Sequence, residues 1–306
     1  MRPRVGVTIK RETLYVGLLF ALPAVLLYTV FVVVPIGQAF YYAFFNWNGL
    51  NRPTDFVGLG NFIDIVRDPV FRRAVGNNFL IAALSLVIQL PLALLLALLV
   101  GRSIPGRAFY RTALFLPYVL SDVATAVMWR QIYNPQFGLV NALANRLGWQ
   151  PQQWLSEPDK VMYALFAVIT WKYVGLYLVL FLSALQRIPR ELEEAASLDG
   201  CSGWQTVRHI TLPLLGSTFR LCAYLSVVGS LQYFDLVWIM TNGGPANASE
   251  TMATYLVKFG FQRYAMGYGS AVGAVLFLIC VVFALLYQRY VMGRDLEPAV
   301  GTAANR

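Results

Sequence analysis

Few side chains in this 306-residue chain could do covalent chemistry, and they do not cluster. His209 is the single histidine, and Cys201, Cys222 and Cys280 are spread through the second half. A metal centre needs several converging ligands and a nucleophile needs a neighbouring base, so neither chemistry is supported. A phosphate-cradling loop needs G-x-x-x-x-G-K-[ST]. The only lysines are Lys10, Lys160, Lys172 and Lys258, and none follows such a loop. The chain is therefore read as no enzyme, with no metal, no catalytic residue and no cofactor of its own.

What remains is non-covalent chemistry. Ser226, Ser230 and Tyr233 stand at i, i+4 and i+7, with Gly229 beside them, and share one face of a helix over 212–240. Hydroxyls beside a ring suit a carbohydrate, whose C–H faces stack on aromatics and whose hydroxyls need partners. Close helix packing through small residues explains the serines and the glycine as well. Tyr173 and Tyr177, one turn apart, extend that lining or belong to an interfacial aromatic belt. Lys172 and Asp122 are read either as a charge pair within the bilayer or as a lysine snorkelling to its edge. Asp235 is read as an interfacial or capping acid.

The elements that carry these residues are set by apolar length. The chain is 58% hydrophobic and 13% charged, against about 45–50% and about 25% for soluble domains. Lipid must solvate much of it. Six windows have the roughly 20 apolar residues that cross a bilayer: Leu14–Phe45, Val75–Val100, Phe109–Tyr133, Val161–Leu185, Leu212–Met240 and Gly269–Tyr290. The first follows Arg2, Arg4, Lys10 and Arg11 but is far longer than a signal-peptide core of 7–15 residues, so it is read as a retained helix. The net charge of +9 sits in short clusters between apolar runs, which argues for loops at a lipid surface and not for nucleic acid. Lysine and arginine favour the side shared by the two termini, most firmly in GRSIPGRAFYR (101–111), and place both termini in the cytoplasm.

The connection between the fourth and fifth windows is the most informative stretch. Pro189 is followed by Glu191, Glu193 and Glu194, an acidic start suited to a helix dipole. Ala195, Ala196 and Leu198 continue it, and Gly200 ends it in a left-handed turn. A second short helix from Trp204 leads to Pro213. The pattern is a polar helix–Gly–helix elbow.

These residues carry a resemblance. Glu194, Ala195, Ala196, Asp199 and Gly200, with Ile210, Leu212 and Pro213 beyond, are similar to the cytoplasmic coupling motif of permeases in binding-protein-dependent ABC importers. The chain departs from that pattern at Cys201, Val207 and Gly216, all packing positions. Phe56–Phe62, FVGLGNF, resembles the segment after the first helix in carbohydrate-type permeases. Met240–Pro245, MTNGGP, resembles the segment after the fifth span in the first permease of a maltose-type pair.

The resemblance implies an all-α integral membrane protein of the type I importer permease fold, with six transmembrane helices and a cytoplasmic coupling helix. It implies one permease unit over 1–306: a first helix and external loop in 1–74, a five-helix core in 75–290 and a cytoplasmic tail in 291–306. It also implies partners: a second permease in a heterodimer, two ATP-binding subunits that hold ATP and Mg, and an extracytoplasmic solute-binding protein, all in a bacterial or archaeal cytoplasmic membrane. The coupling contact falls on Glu194, Ala195, Ala196, Asp199 and Gly200. The substrate path falls on Ser226, Gly229, Ser230, Tyr233, Tyr173 and Tyr177, and the expected solute is a neutral di- or oligosaccharide. A glycerol-phosphate permease is the nearest alternative, and the sequence does not separate the two. A secondary transporter would call for internal repeats and a midplane carboxylate.

Overall fold

A computed structural model describes residues 11–101 and 106–293. The basic residues Arg2, Arg4, Lys10 and Arg102, and the tail from 294 onward, lie outside the described residues. In chain order the helices are α1 (Leu19–Tyr42), α2 (Gly60–Arg67), α3 (Pro69–Gly101), α4 (Arg107–Val119), α5 (Asp122–Ile132) and α6 (Leu139–Arg146). They continue as α7 (Pro158–Leu185), α8 (Arg190–Leu198), α9 (Gly203–Leu214), α10 (Gly216–Leu231), α11 (Asp235–Thr241), α12 (252–261) and α13 (Met266–Met292). Among the described residues there is no sheet, only a single antiparallel bridge between Phe45 and Phe56.

Among the described residues four helices are long and apolar enough to cross a bilayer unbroken: α1, α3, α7 and α13. Two further spans are bent pairs, α4 with α5 at 99° and α9 with α10 at 64°. The third and fifth windows, expected as continuous helices, are therefore broken. The reason for the first break is local. Pro117 lies inside α4, Leu120 and Ser121 turn extended, and the Ser121 side chain caps the new helix by accepting from Ala124 N. The fifth window stops at Leu231, and Gln232–Phe234 separate it from α11. The second span starts at Pro69, earlier than Val75, because Asp68 caps it: its Oδ1 accepts from Val70 N (2.7 Å) and Phe71 N (3.2 Å).

The central element is α7, apolar on all sides and buried against α3, α4 and α10. Leu165, Leu178 and Phe181 on it are sealed from solvent. By contrast α1 is exposed along its length and touches the bundle at its end, where Phe40 meets the ring of Phe277 edge-on at 5.8 Å. A long apolar helix with so little of its surface covered is solvated by lipid or by another subunit. The Gly269–Gly273 pair on α13 is a packing face within this chain: Gly269 lies against Gly260 of α12 with no room for a Cβ between the two backbones.

One end of the bundle is closed by a polar bracket. Asn77 Nδ2 donates to the carbonyls of Ala248 (2.9 Å) and Glu250 (2.8 Å). Asn78 Nδ2 donates to those of Ser230 (2.6 Å) and Leu231 (3.2 Å), while its Oδ1 accepts from Met252 N (2.9 Å). The last carbonyls of a helix have no partner within it, so Asn78 is what lets α10 end inside the protein. The segment Met240–Pro245, MTNGGP, lies in this bracket. Gly243 has φ +73°, and a Cβ there would fall 2.1 Å from Glu250 Oε2. That buried carboxylate receives Lys258 Nζ at 2.9 Å. Only glycine satisfies both the backbone angle and the space.

Candidate functional site

The elbow forms at the opposite end of the bundle. Pro189 precedes α8, and Glu191 and Glu193 occupy its first turn. Glu194 falls one step later than the sequence suggested, beyond that turn, and is exposed. The C-terminus closes as a Schellman turn. Cys201 N donates to Ala196 O (2.9 Å) and Gly200 N to Ser197 O (3.1 Å), with Gly200 at φ +82°. One residue on, a reciprocal cap starts α9: Gln205 N donates to Ser202 Oγ and Ser202 N to Gln205 Oε1 (2.7 Å). Ala196 is the one buried residue of α8, while Glu194, Ala195, Asp199 and Gly200 face outward. Leu198 and Trp204 stand 89% and 67% exposed beside them. The preformed turn thus presents two bare apolar side chains beside a row of acids. Cys201 is exposed nearby, and none of the three cysteines is in a disulfide.

From the elbow the chain runs through α9 directly into α10, which lines a cavity of about 280 Å³. Ser226, Gly229, Ser230, Tyr233, Tyr173 and Tyr177 all line that one cavity. Tyr173 and Tyr177 thus face inward, not outward as a lipid-facing belt. Tyr233 arrives by another route than expected: it sits in the break after α10, and its carbonyl is held by Thr251 Oγ1 at 2.8 Å. The rings of Tyr173 and Tyr233 meet edge-on at 6.0 Å. Ser230 Oγ donates back to Ser226 O (2.7 Å), so that proton is already used within the helix. Ser226 Oγ and Tyr233 OH are buried and make no hydrogen bond of good geometry, with the Tyr177 and Tyr173 hydroxyls as electrostatic neighbours.

Lys172 resolves in favour of a pair. Its side chain is 3% exposed, its Nζ lies 3.4 Å from Asp122 Oδ1, and it donates to the carbonyl of Leu120. It therefore stitches the break between α4 and α5, where a helix end would leave carbonyls unpaired. Tyr173 OH donates to the same Asp122 Oδ1 at 3.0 Å. Asp235 opens the first turn of α11, exposed and on the cavity wall.

Sequence reasoning overlooked Ser85, Gln89 and Asp122 as cavity residues. Ser85 and Gln89 bound a π-helical turn inside α3, and Gln89 Nε2 donates to Ile169 O (3.2 Å). Such turns are frequent at functional sites. The signal was present: two polar residues four apart in an apolar run are suspect at bilayer depth.

Residues 13–294 match the family described as binding-protein-dependent transport system inner membrane component. The protein named Probable ABC transporter permease protein YurN, from Bacillus subtilis, is 34% identical over 89% of this chain and 94% of its own length. The diacetylchitobiose uptake system permease protein NgcF of Streptomyces coelicolor is 34% identical over 85% of this chain and 77% of its own. A bacterial alginate ABC transporter, solved in complex with alginate pentasaccharide-bound periplasmic protein, has a chain that superposes with TM-score 0.80 at 24% identity. That match covers 96% of this chain and 98% of that one, and it establishes the shared fold. The chain belongs to the inner membrane component family of binding-protein-dependent transport systems: it is a multi-pass permease subunit of an ABC importer, a transport protein and not an enzyme.

Proposed function

We propose that the chain, as one permease unit over 1–306, forms half of the pathway through which an ATP-driven importer admits a carbohydrate of di- or oligosaccharide size. The observation that carries this reading is the cavity, where rings and hydroxyls from α7, α10 and the break after α10 converge with Ser85 and Gln89 of α3. Rings offer faces to sugar C–H groups and hydroxyls offer partners to sugar O–H groups. The relative named for diacetylchitobiose uptake supports the same solute class.

In this reading a second permease supplies the facing wall. An extracytoplasmic binding protein delivers the solute. Of two ATP-binding subunits, which hold ATP and Mg, one docks on this elbow through Glu194, Ala195, Asp199 and Gly200, with Ala196 packed beneath the contact. The elbow lies on the cytoplasmic face of a bacterial or archaeal cytoplasmic membrane, with both termini on that side. Coupling is mechanical: a displaced α8 moves α9, and α9 joins the cavity-lining α10 through a 64° bend.

The test is reconstitution in liposomes of this chain with its second permease, ATPase and binding protein. Labelled-oligosaccharide uptake should require ATP, the binding protein and both permeases. Uptake by this chain and the ATPase alone would sink the heteromeric pathway, and uptake driven by an ion gradient without ATP would favour a secondary transporter.

A further inference from the structure

The charges around the cavity say more than its hydroxyls do. Its lining includes two carboxylates, Asp122 and Asp235, and, among the described residues, no lysine or arginine. Lys172 is close but hidden: its ammonium is turned to Asp122 and to the Leu120 carbonyl and is sealed from solvent. Asp122 keeps a third of its side chain exposed. The hydroxyl proton of Ser230 goes to Ser226 O, and one amide proton of Gln89 is directed at Ile169 O. What the wall presents is thus weighted toward acceptors and negative charge. Ser226 Oγ lines the cavity with the Tyr177 hydroxyl beside it, and the residue is 3% exposed.

We propose that Asp122 and Asp235 make this wall selective against anions, so that the solute presents hydroxyls or protonated amines to it and not phosphates or carboxylates. The inference rests on the carbohydrate reading and narrows it. A half-enclosed cleft lined by one sign of charge focuses its field and disfavours like-charged solutes. Acceptor-rich walls pair with the O–H donors of a neutral sugar. A phosphate or uronate group placed there meets Asp235 with no lysine or arginine among the described lining residues to balance it, and an Asp122 whose cation Lys172 is turned away from the cavity.

The test reads the potential directly and needs no knowledge of the solute. In the complete transporter in nanodiscs, Cys201, Cys222 and Cys280 are replaced by Ser or Ala and Gly229→Cys is introduced. Gly229 lines the cavity and a Cβ there meets no atom within 4 Å, so the thiol fits without displacement. A cationic trimethylammonium-ethyl and an anionic sulfonatoethyl methanethiosulfonate are compared, each normalised to its rate with free thiol. The cationic reagent should react about three- to tenfold faster, as expected for carboxylates within several ångströms in a partly screened site. Asp235→Asn and Asp122→Asn should each bring the ratio toward one. Should Asp122→Asn fail to accumulate, because it leaves Lys172 buried without its partner, Asp235→Asn decides alone.

Equal rates, a preference for the anionic reagent, a ratio unmoved by Asp235→Asn, or no labelling by either reagent would each overturn the assignment. So would ATP-dependent uptake of a phosphorylated or uronate sugar by the unmodified complex. A cationic preference in a transporter that moves no sugar would leave the charge assignment standing and remove the carbohydrate reading.

Discussion

In the elbow every bond that sets the shape joins near neighbours, from Ala196 with Cys201 to Ser202 with Gln205. At the cavity the bonds join residues far apart in the chain, as when Asn78 holds Ser230 and Leu231, Gln89 holds Ile169 and Lys172 holds Leu120 and Asp122. The difference separates two kinds of failure. A defect in the elbow should spare the bundle and disconnect it from its motor. A defect in the long-range bracket should lose the cavity itself.

The largest effect expected from this contrast is at Asn78. Asn78→Ala strips partners from two buried carbonyls and from Met252 N–H, at about 1–3 kcal/mol for each group left unpaired. The purified transporter should unfold at a markedly lower temperature or fail to accumulate. An unchanged unfolding midpoint would show that α10 ends there without help from α3.

Next in size is Gly200→Asp. A side chain at φ +82° costs roughly 1 kcal/mol or more in backbone strain, but a Cβ there meets no atom within 4 Å of this chain. The variant should insert and fold, while co-purification of the ATPase or hydrolysis stimulated by the binding protein is lost. Glu194→Ala should weaken the same readouts less, because it removes one exposed carboxylate. Normal values in both variants would separate the elbow from coupling.

The smallest effect sharpens the cavity side. Tyr233→Ala removes a ring worth something like 0.5–1.5 kcal/mol as an aromatic contact. Uptake should fall several-fold with the ATPase still bound, and unchanged uptake would return this face to helix packing.

The residues that announced themselves were those whose meaning is local. Pro189, the acids after it and Gly200 spell a capped helix and a left-handed stop, and the structure forms that turn. Glu194 was placed one position too early because a capping turn is read only to within a residue or two. The apolar windows marked the spans, since bilayer thickness sets their length. They could not mark the breaks, because hydropathy does not register where a carbonyl finds its partner. Pro117 with Ser121 was a legible hint of the first break. The second depends on Asn78, which lies far away in the sequence.

What the sequence alone determined is an all-helical membrane chain with a polar elbow of given shape, because span length and helix caps depend on nearest neighbours. The tertiary structure decided that Tyr173 and Tyr177 face a cavity, that Tyr233 reaches it from a break and not from a helix face, and that Lys172 is spent on Asp122 and Leu120. Those outcomes turn on which buried polar groups meet across helices. In a bilayer, where an unpaired buried group has no water to turn to, that meeting decides where a helix may end and which side chains are left for a solute.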